Sequence, residues 1–268
     1  MTGQRDGWLA ALRARADQPP ARLRVPLWAG DACIGSVEPD LFPRALPASR
    51  IGPQGWVSEN GDGDAGWRVA GDLTATLSHV AFALRDAGLA HAWRDEQLAV
   101  RAGDGPLLGT VERGVVRQLG IATRAVHLVG YAPDGRMWVQ QRAFSKPNDP
   151  GLWDTLVGGM VPATDTVPVA LGRETWEEAG LRMSQLQDVT HGGRIAIRRS
   201  SGSHAGYVDE QIDWYRCIVP STLAPANLDG EVEQFVLMPP DELRARLPQE
   251  HFTTEASLII AATGVFEG

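Results

Sequence analysis

Cysteine is almost missing from this chain. Its 268 residues include two, Cys33 and Cys217, too few for a disulfide framework, and no Cys-x-x-Cys pair or Cys/His cluster has zinc-site spacing. No apolar run reaches membrane-spanning length, and no basic stretch followed by an apolar one opens the sequence. Neither a membrane partner nor a signal peptide is therefore expected, and a reducing cytoplasm is the expected compartment. Positive charge is short as well. Lys and Arg total 25 against 33 Asp and Glu, a formal net charge of −8, the wrong sign for a chain whose main partner is nucleic acid. A small phosphorylated ligand stays open, because a few local cations or a bound metal reverse the sign at one site. Internal repeats and low-complexity tracts are also lacking. What is present is a globular mix, 43% hydrophobic and 22% charged, long enough for one large domain or two ordinary ones.

Periodicity predicts an amphipathic helix over 7–17, with Trp8, Leu9 and Leu12 on one face, then strands near 23–28 and 32–37. Residues 47–66, rich in Gly, Asp, Pro and Ser, read as loop. A helix is expected over 74–88, with Leu77, Val80, Ala81 and Leu84 at helical spacing and Gly88 past its end. Short strands near 98–100 and 107–111 and a helix over 113–119 follow. The texture then changes, and a domain boundary is expected near residue 120, dividing 1–120 from 121–268. Beyond it, strands at 125–131 and 137–142 flank Pro133-Asp134-Gly135, a turn signal. A third strand near 156–160, a helix over 167–179 stopped by Gly180, strands at 209–219 and 232–237, and helices at 240–247 and 255–263 complete the reading. The Gly/Ser-rich segment 191–206, flanked by His191 and His204, reads as a loop that either closes over a ligand or connects strands. His127, inside an apolar strand, reads as a satisfied core residue.

One segment, Gly159 to Leu181, carries the chemistry. Thr166 can cap its helix, and Pro168 suits the first turn. Glu174, Glu177 and Glu178 are spaced three and four apart, so all three leave one side of the helix. Carboxylates at that spacing repel one another, and only Arg173 is at hand to offset them. A solvated acidic face is the plain alternative; hard oxygen ligands gathered this way suit Mg²⁺ or Mn²⁺, which also bind phosphate oxygens.

In register with these carboxylates, Gly159, Arg173, Gly180 and Leu181 complete a pattern that resembles the Nudix box. Asp165 stands where that family has Glu, and Thr175 where it has Ile, Leu or Val; the Thr175 hydroxyl can bond the preceding helical turn. The resemblance implies an α/β (α+β) fold, a mixed sheet sandwiched between helices, with a small additional N-terminal α+β domain. It further implies that Glu174, Glu177 and Glu178, with the Gly159 carbonyl, are metal ligands and that Arg173 orients a glutamate. The implied reaction is hydrolysis of a diphosphate by a metal-activated water. Base candidates outside the helix are Glu231 and Glu233, which share a strand face, and Glu210; an exposed polar strand is the competing reading. Arg142, at a strand end, and Lys146, in the polar loop, can clamp a phosphate.

Further stretches, Gly120-Ile, Val126 to Tyr131, Pro150 to Asp154, Ala92 to Glu96 and Leu228 to Phe235, resemble one Nudix subfamily. Its members carry an extra N-terminal domain and in some fungi are fused to thiamine pyrophosphokinase. That likeness implies thiamine diphosphate analogues, the oxo and oxy forms, as substrate, with cleavage to the monophosphate. The nine tryptophans offer ring-stacking surfaces, although core packing is the plainer reading. ADP-ribose, nucleotide-sugar or coenzyme A pyrophosphatases would use the same box. Isopentenyl diphosphate isomerase, by the same kind of resemblance, would need a cysteine before the helix, where 154–158 has none. A non-catalytic Nudix regulator would be expected to lose glutamates that this chain keeps. Monomer and homodimer both stay open.

Overall fold

The computed structural model describes residues 2–59, 66–90, 92–201, 206–249 and 251–267, with the side chains of 2–4 left aside; His204 falls outside them. The chain opens with helix α1 (Thr2–Ala16). Strands β1 (Val25–Ala29) and β2 (Ala32–Val37) form a hairpin, and the short helix α2 (Leu41–Ala45) follows. Strands β3 (Val57–Glu59) and β4 (Trp67–Val69) complete a four-stranded sheet in the order β2-β1-β4-β3. Helix α3 (Leu73–Asp86) is capped by the Asp72 carboxylate and buries Leu77, Val80, Ala81 and Leu84. A hairpin of β5 (Gln97–Val100) and β6 (Gly109–Glu112) leads to the one-turn helix α4 (Val116–Leu119), ended by Gly120 in left-handed conformation. These elements enclose a core that includes Leu27, Phe42, Leu98 and Ile121.

The remaining elements build a larger mixed sheet. Strands β7 (Thr123–Tyr131) and β8 (Met137–Arg142) are antiparallel, with β9 (Trp153–Asp154) against β8 and β10 (Val157–Met160) against β7. Helix α5 (Val167–Ala179) follows; then come β11 (Gln187–Ser200), β12 (Tyr207–Ile218), β13 (Val232–Met238), α6 (Pro240–Arg246) and α7 (Thr254–Ala262). The path is β11-β12-β7-β8-β13, with β12 parallel to β7 and its other pairs antiparallel. Two apolar cores cover this sheet, one under α5 with Val126, Leu128 and Leu171, the other under α6 and α7 with Val139, Ile197 and Ile259. Helix α1 packs on α7 and β11 and places Ala16 in that second core. Among the described residues no helix is long and apolar enough to cross a membrane.

Three expectations need correction. The segment from His191 is no loop: residues through Ser200 belong to β11, a long strand paired with β12. Within 47–66, a 3₁₀ turn at Ala48–Arg50 and strand β3 interrupt the expected loop. Thr166 does occupy the N-cap of α5, but its hydroxyl makes no capping bond.

Candidate active site

Helix α5 presents the central carboxylates, and strand β10 supplies backbone groups beside them. α5 is confined at both ends, with Pro168 in its first turn and Gly180 turning left-handed at its close. Thr175 is fully buried, and its hydroxyl donates to the Leu171 carbonyl at 2.6 Å. β10 runs beside the helix, and its glycines matter for closeness. A Cβ at Gly159 would overlap the Glu174 carboxylate, and one at Gly158 would lie 2.6 Å from the His127 ring.

Arg173 spans three carboxylates. Its Nε donates to Asp165 at 3.1 Å, one Nη to Glu177 at 2.8 Å, and the other lies 3.0 Å from Glu174. The shorter Asp165 side chain therefore still reaches it. These partners hold the Arg173 guanidinium above its ordinary pKa despite burial. Glu174 is pushed up to about 7, chiefly by burial, with Glu177 and Glu231 adding to the rise against Arg173. Glu178 points inward, only 3% exposed. It accepts from Gly158 N at 3.0 Å and Gln140 Nε2 at 2.9 Å. Burial, helped by Glu174, raises it to about 8. Glu177 is the outermost of the three, its side chain 43% exposed.

These groups border a cleft of about 260 Å³, into which Glu174, Glu177, Gly159, Arg142, Lys146, Glu231 and Glu210 all face. Arg142 donates to the Asn148 carbonyl at 3.1 Å and lies 3.5 Å from Asp154. Lys146 contacts Glu231. Burial would raise Glu231, but the Lys146 contact, with Arg113 and Arg94, keeps it below the ordinary carboxylate value. Glu210 accepts from the Thr123 hydroxyl at 3.1 Å and is raised, first by burial and then by Glu255. His127, buried at the cleft floor, has Nδ1 2.8 Å from the Thr155 hydroxyl, in keeping with a satisfied residue.

Glu233 does not belong to this set. A bulge between Val232 and Gln234 leaves it exposed, outside the cleft lining, so it shares no inward face with Glu231. No tryptophan lines the cleft either. The sequence reading missed Gln140, which holds Glu178, and Arg94, Arg113 and Arg117, which reach the cleft from the N-terminal region. Arg94 lies in the Ala92 to Glu96 stretch, but nothing local marks any of the three as facing the cleft. Only the packing of the preceding elements on the large sheet brings them to the cleft.

Among the described residues, no three Asp, Glu, His or Cys side chains are already gathered as a formed metal cage. The donor set nevertheless suits a hard divalent cation. Its members are carboxylate and carbonyl oxygens, and two of the carboxylates carry raised pKa values that a nearby cation would offset.

A family model described as the NUDIX domain matches residues 122–258. Among curated proteins, Nudix hydrolase 20, chloroplastic, of Arabidopsis thaliana is 29% identical over 202 residues, covering 70% of this chain and 51% of that protein. An isopentenyl-diphosphate Delta-isomerase of Serratia proteamaculans is 32% identical over 96 residues, covering 36% of this chain and 53% of the isomerase. The chain thus spans about half the length of the curated relatives it matches. Among solved structures, DR0079 from Deinococcus radiodurans aligns with TM-score 0.50 at 20% identity, covering 62% of this chain and 99% of that one, a likeness of fold alone.

Proposed function

The chain belongs to the Nudix family, and from that premise we propose that it is a divalent-metal-dependent hydrolase of a small-molecule diphosphate, acting on thiamine diphosphate analogues of the oxo and oxy type. The observation that carries the reaction class is the cleft, where box carboxylates face Arg142 and Lys146. The substrate class rests on the subfamily resemblance of the flanking stretches. We place the division of the chain near residue 120, with 1–120 accessory and 121–268 catalytic.

In this reading Glu174, Glu177, Glu178 and the Gly159 carbonyl would hold Mg²⁺, or Mn²⁺ in its stead. Bound there, the ion would supply Lewis acidity toward phosphoryl oxygen and a more acidic water. Arg173 keeps Glu174 and Glu177 in place, and Gln140 with Gly158 N does the same for Glu178. Arg142 and Lys146 bind phosphoryl oxygens as cationic donors. Glu231, close enough for its charge to act on Glu174, accepts the proton of the attacking water. Cleavage then gives the monophosphate and inorganic phosphate. Isomerase chemistry finds less support, because neither cysteine lines the cleft and Cys217 is buried with its thiol pushed up to about 12.

The test is a mass-spectrometric assay with Mg²⁺ against thiamine diphosphate, its oxo and oxy analogues, ADP-ribose, NADH, coenzyme A and isopentenyl diphosphate, with Glu177→Gln alongside. The expected outcome is fastest conversion of an oxidised thiamine diphosphate to its monophosphate, and near-abolished turnover in the variant. Preference for ADP-ribose or coenzyme A would overturn the substrate class. Wild-type rates in Glu177→Gln would overturn the metal-ligand assignment.

A further inference from the structure

The N-terminal region gives the cleft three cations, Arg94, Arg113 and Arg117, and one carboxylate, Glu96, and the turn that carries Arg94 is tightly built. Asp95 holds a left-handed backbone, φ 54°, unusual for a residue with a side chain. Its carboxylate accepts from the Trp93 indole at 2.7 Å. The Trp93 ring stacks on Phe82 and lies 4.6 Å from the Arg85 guanidinium. The backbone N–H groups of Arg94 and Gly114 both donate to the buried Glu112 carboxylate, at 2.9 and 3.2 Å. Arg113 is tied back to Glu96 twice, backbone N to carbonyl at 2.8 Å and guanidinium to carboxylate at 2.6 Å. Arg117 rides on α4, whose Gln118 carbonyl accepts from Arg24 at 2.7 Å.

We propose that Arg94, Arg113 and Arg117 form an anion subsite, supplied by the N-terminal region, that holds the phosphoryl group of the diphosphate lying farther from the metal-holding box carboxylates. This rests on the diphosphate reading above and adds to it a role for residues before 120. All three arginines line the same cleft as Glu174 and Glu177. Their charges act within it: Arg94 and Arg113 draw Glu231 down, and Arg117 and Arg113 oppose the rise of Glu210. Guanidinium is the group suited to this task, since its planar fork pairs with two oxygens of one phosphate. A purely structural role, neutralising the cleft carboxylates, explains Arg117 beside Glu210 but not Arg94. Glu231 already has Lys146 in contact. The Arg94 side chain is exposed and, among the described residues, makes no hydrogen bond or ion pair, its only bond being through the backbone.

The experiment is calorimetric binding of inorganic phosphate to the full chain without metal, for wild type, Arg94→Ala, Arg94→Ala/Arg117→Ala, and Arg136→Ala on the separate β7–β8 turn. Losing a charge-assisted contact weakens binding by roughly tenfold or more. The single Arg94 variant should lose about that factor, the double variant more, and Arg136→Ala nothing. In turnover, the double variant should raise KM by a larger factor than it lowers kcat. Phosphate binding by the double variant as tight as wild type, or an equal loss in Arg136→Ala, would overturn the subsite. If no diphosphate is turned over yet phosphate binding follows the arginines, the subsite stands and the hydrolase reading falls. If diphosphates are turned over with KM untouched in the double variant, the subsite falls alone.

Discussion

Glu174 and Glu178 show what burial does to a carboxylate whose nearest neighbours include others like it. Both are displaced upward, although Glu174 touches an arginine and Glu178 accepts two hydrogen bonds. Glu210 is the informative case outside α5. Its folded-state pKa is raised above the unfolded value of about 4.3. The folded state therefore favours its neutral form, and a penalty grows as pH climbs through the unfolded value and saturates above the folded one. Glu210→Gln removes that penalty. The variant should melt at a higher temperature than wild type at pH 8, with the gain shrinking toward zero as pH falls below 5. Melting curves across that range check it, and a gain that grows on acidification would contradict the shift. At this scale the box was legible because fixed offsets along one helix determine which side chains share a face. Gln140 was not legible, because its meeting with Glu178 depends on how β8 lies against α5.

Helix ends and strand edges account for most differences at the level of elements. Thr166 and Thr253 both stand at the N-cap of a helix. Thr253 accepts from Ala256 N at 3.1 Å, whereas Thr166 makes no such bond. Thr253→Ala should cost about 1 kcal/mol, the usual value of a side-chain cap, and Thr166→Ala far less. Chemical denaturation of both variants tests this, and equal losses would refute it. β11 went unread for a different reason. It is the edge strand of the large sheet, and most of its residues are exposed, so no alternation of apolar and polar residues marks it. Its Gly192-Gly193 pair reads as loop but serves packing, since a Cβ at Gly192 would overlap the Trp214 ring. The central strands β7 and β8 were legible because most of their buried positions are apolar and a Pro-Asp-Gly turn joins them.

Across the whole molecule, α1 departs most from a simple division of the chain. The sequence identified its apolar face but not what that face meets. It lies on α7 and β11, with Leu12 almost fully buried and the Arg5 guanidinium bonded to the Phe266 carbonyl 261 residues away. Leu12→Ala should cost about 2–5 kcal/mol, as for other buried leucines. The loss should appear as weakened hydrogen-exchange protection in α7 and β11 rather than in β1 and β2. Protection lost first in the four-stranded sheet would show that α1 supports the other core. Deleting the whole stretch before residue 118 would therefore strip cover from the large sheet as well as remove Arg94, Arg113 and Arg117 from the cleft.

Lys146 is the single lysine among 268 residues, and it faces the cleft in contact with Glu231. Apart from any N-terminal amine, amine-directed reagents have one address in this protein. An acyl group delivered there would erase a cation and break its contact with Glu231 in the same event, so the extent of acylation at Lys146 reports, by mass spectrometry, how often that contact opens.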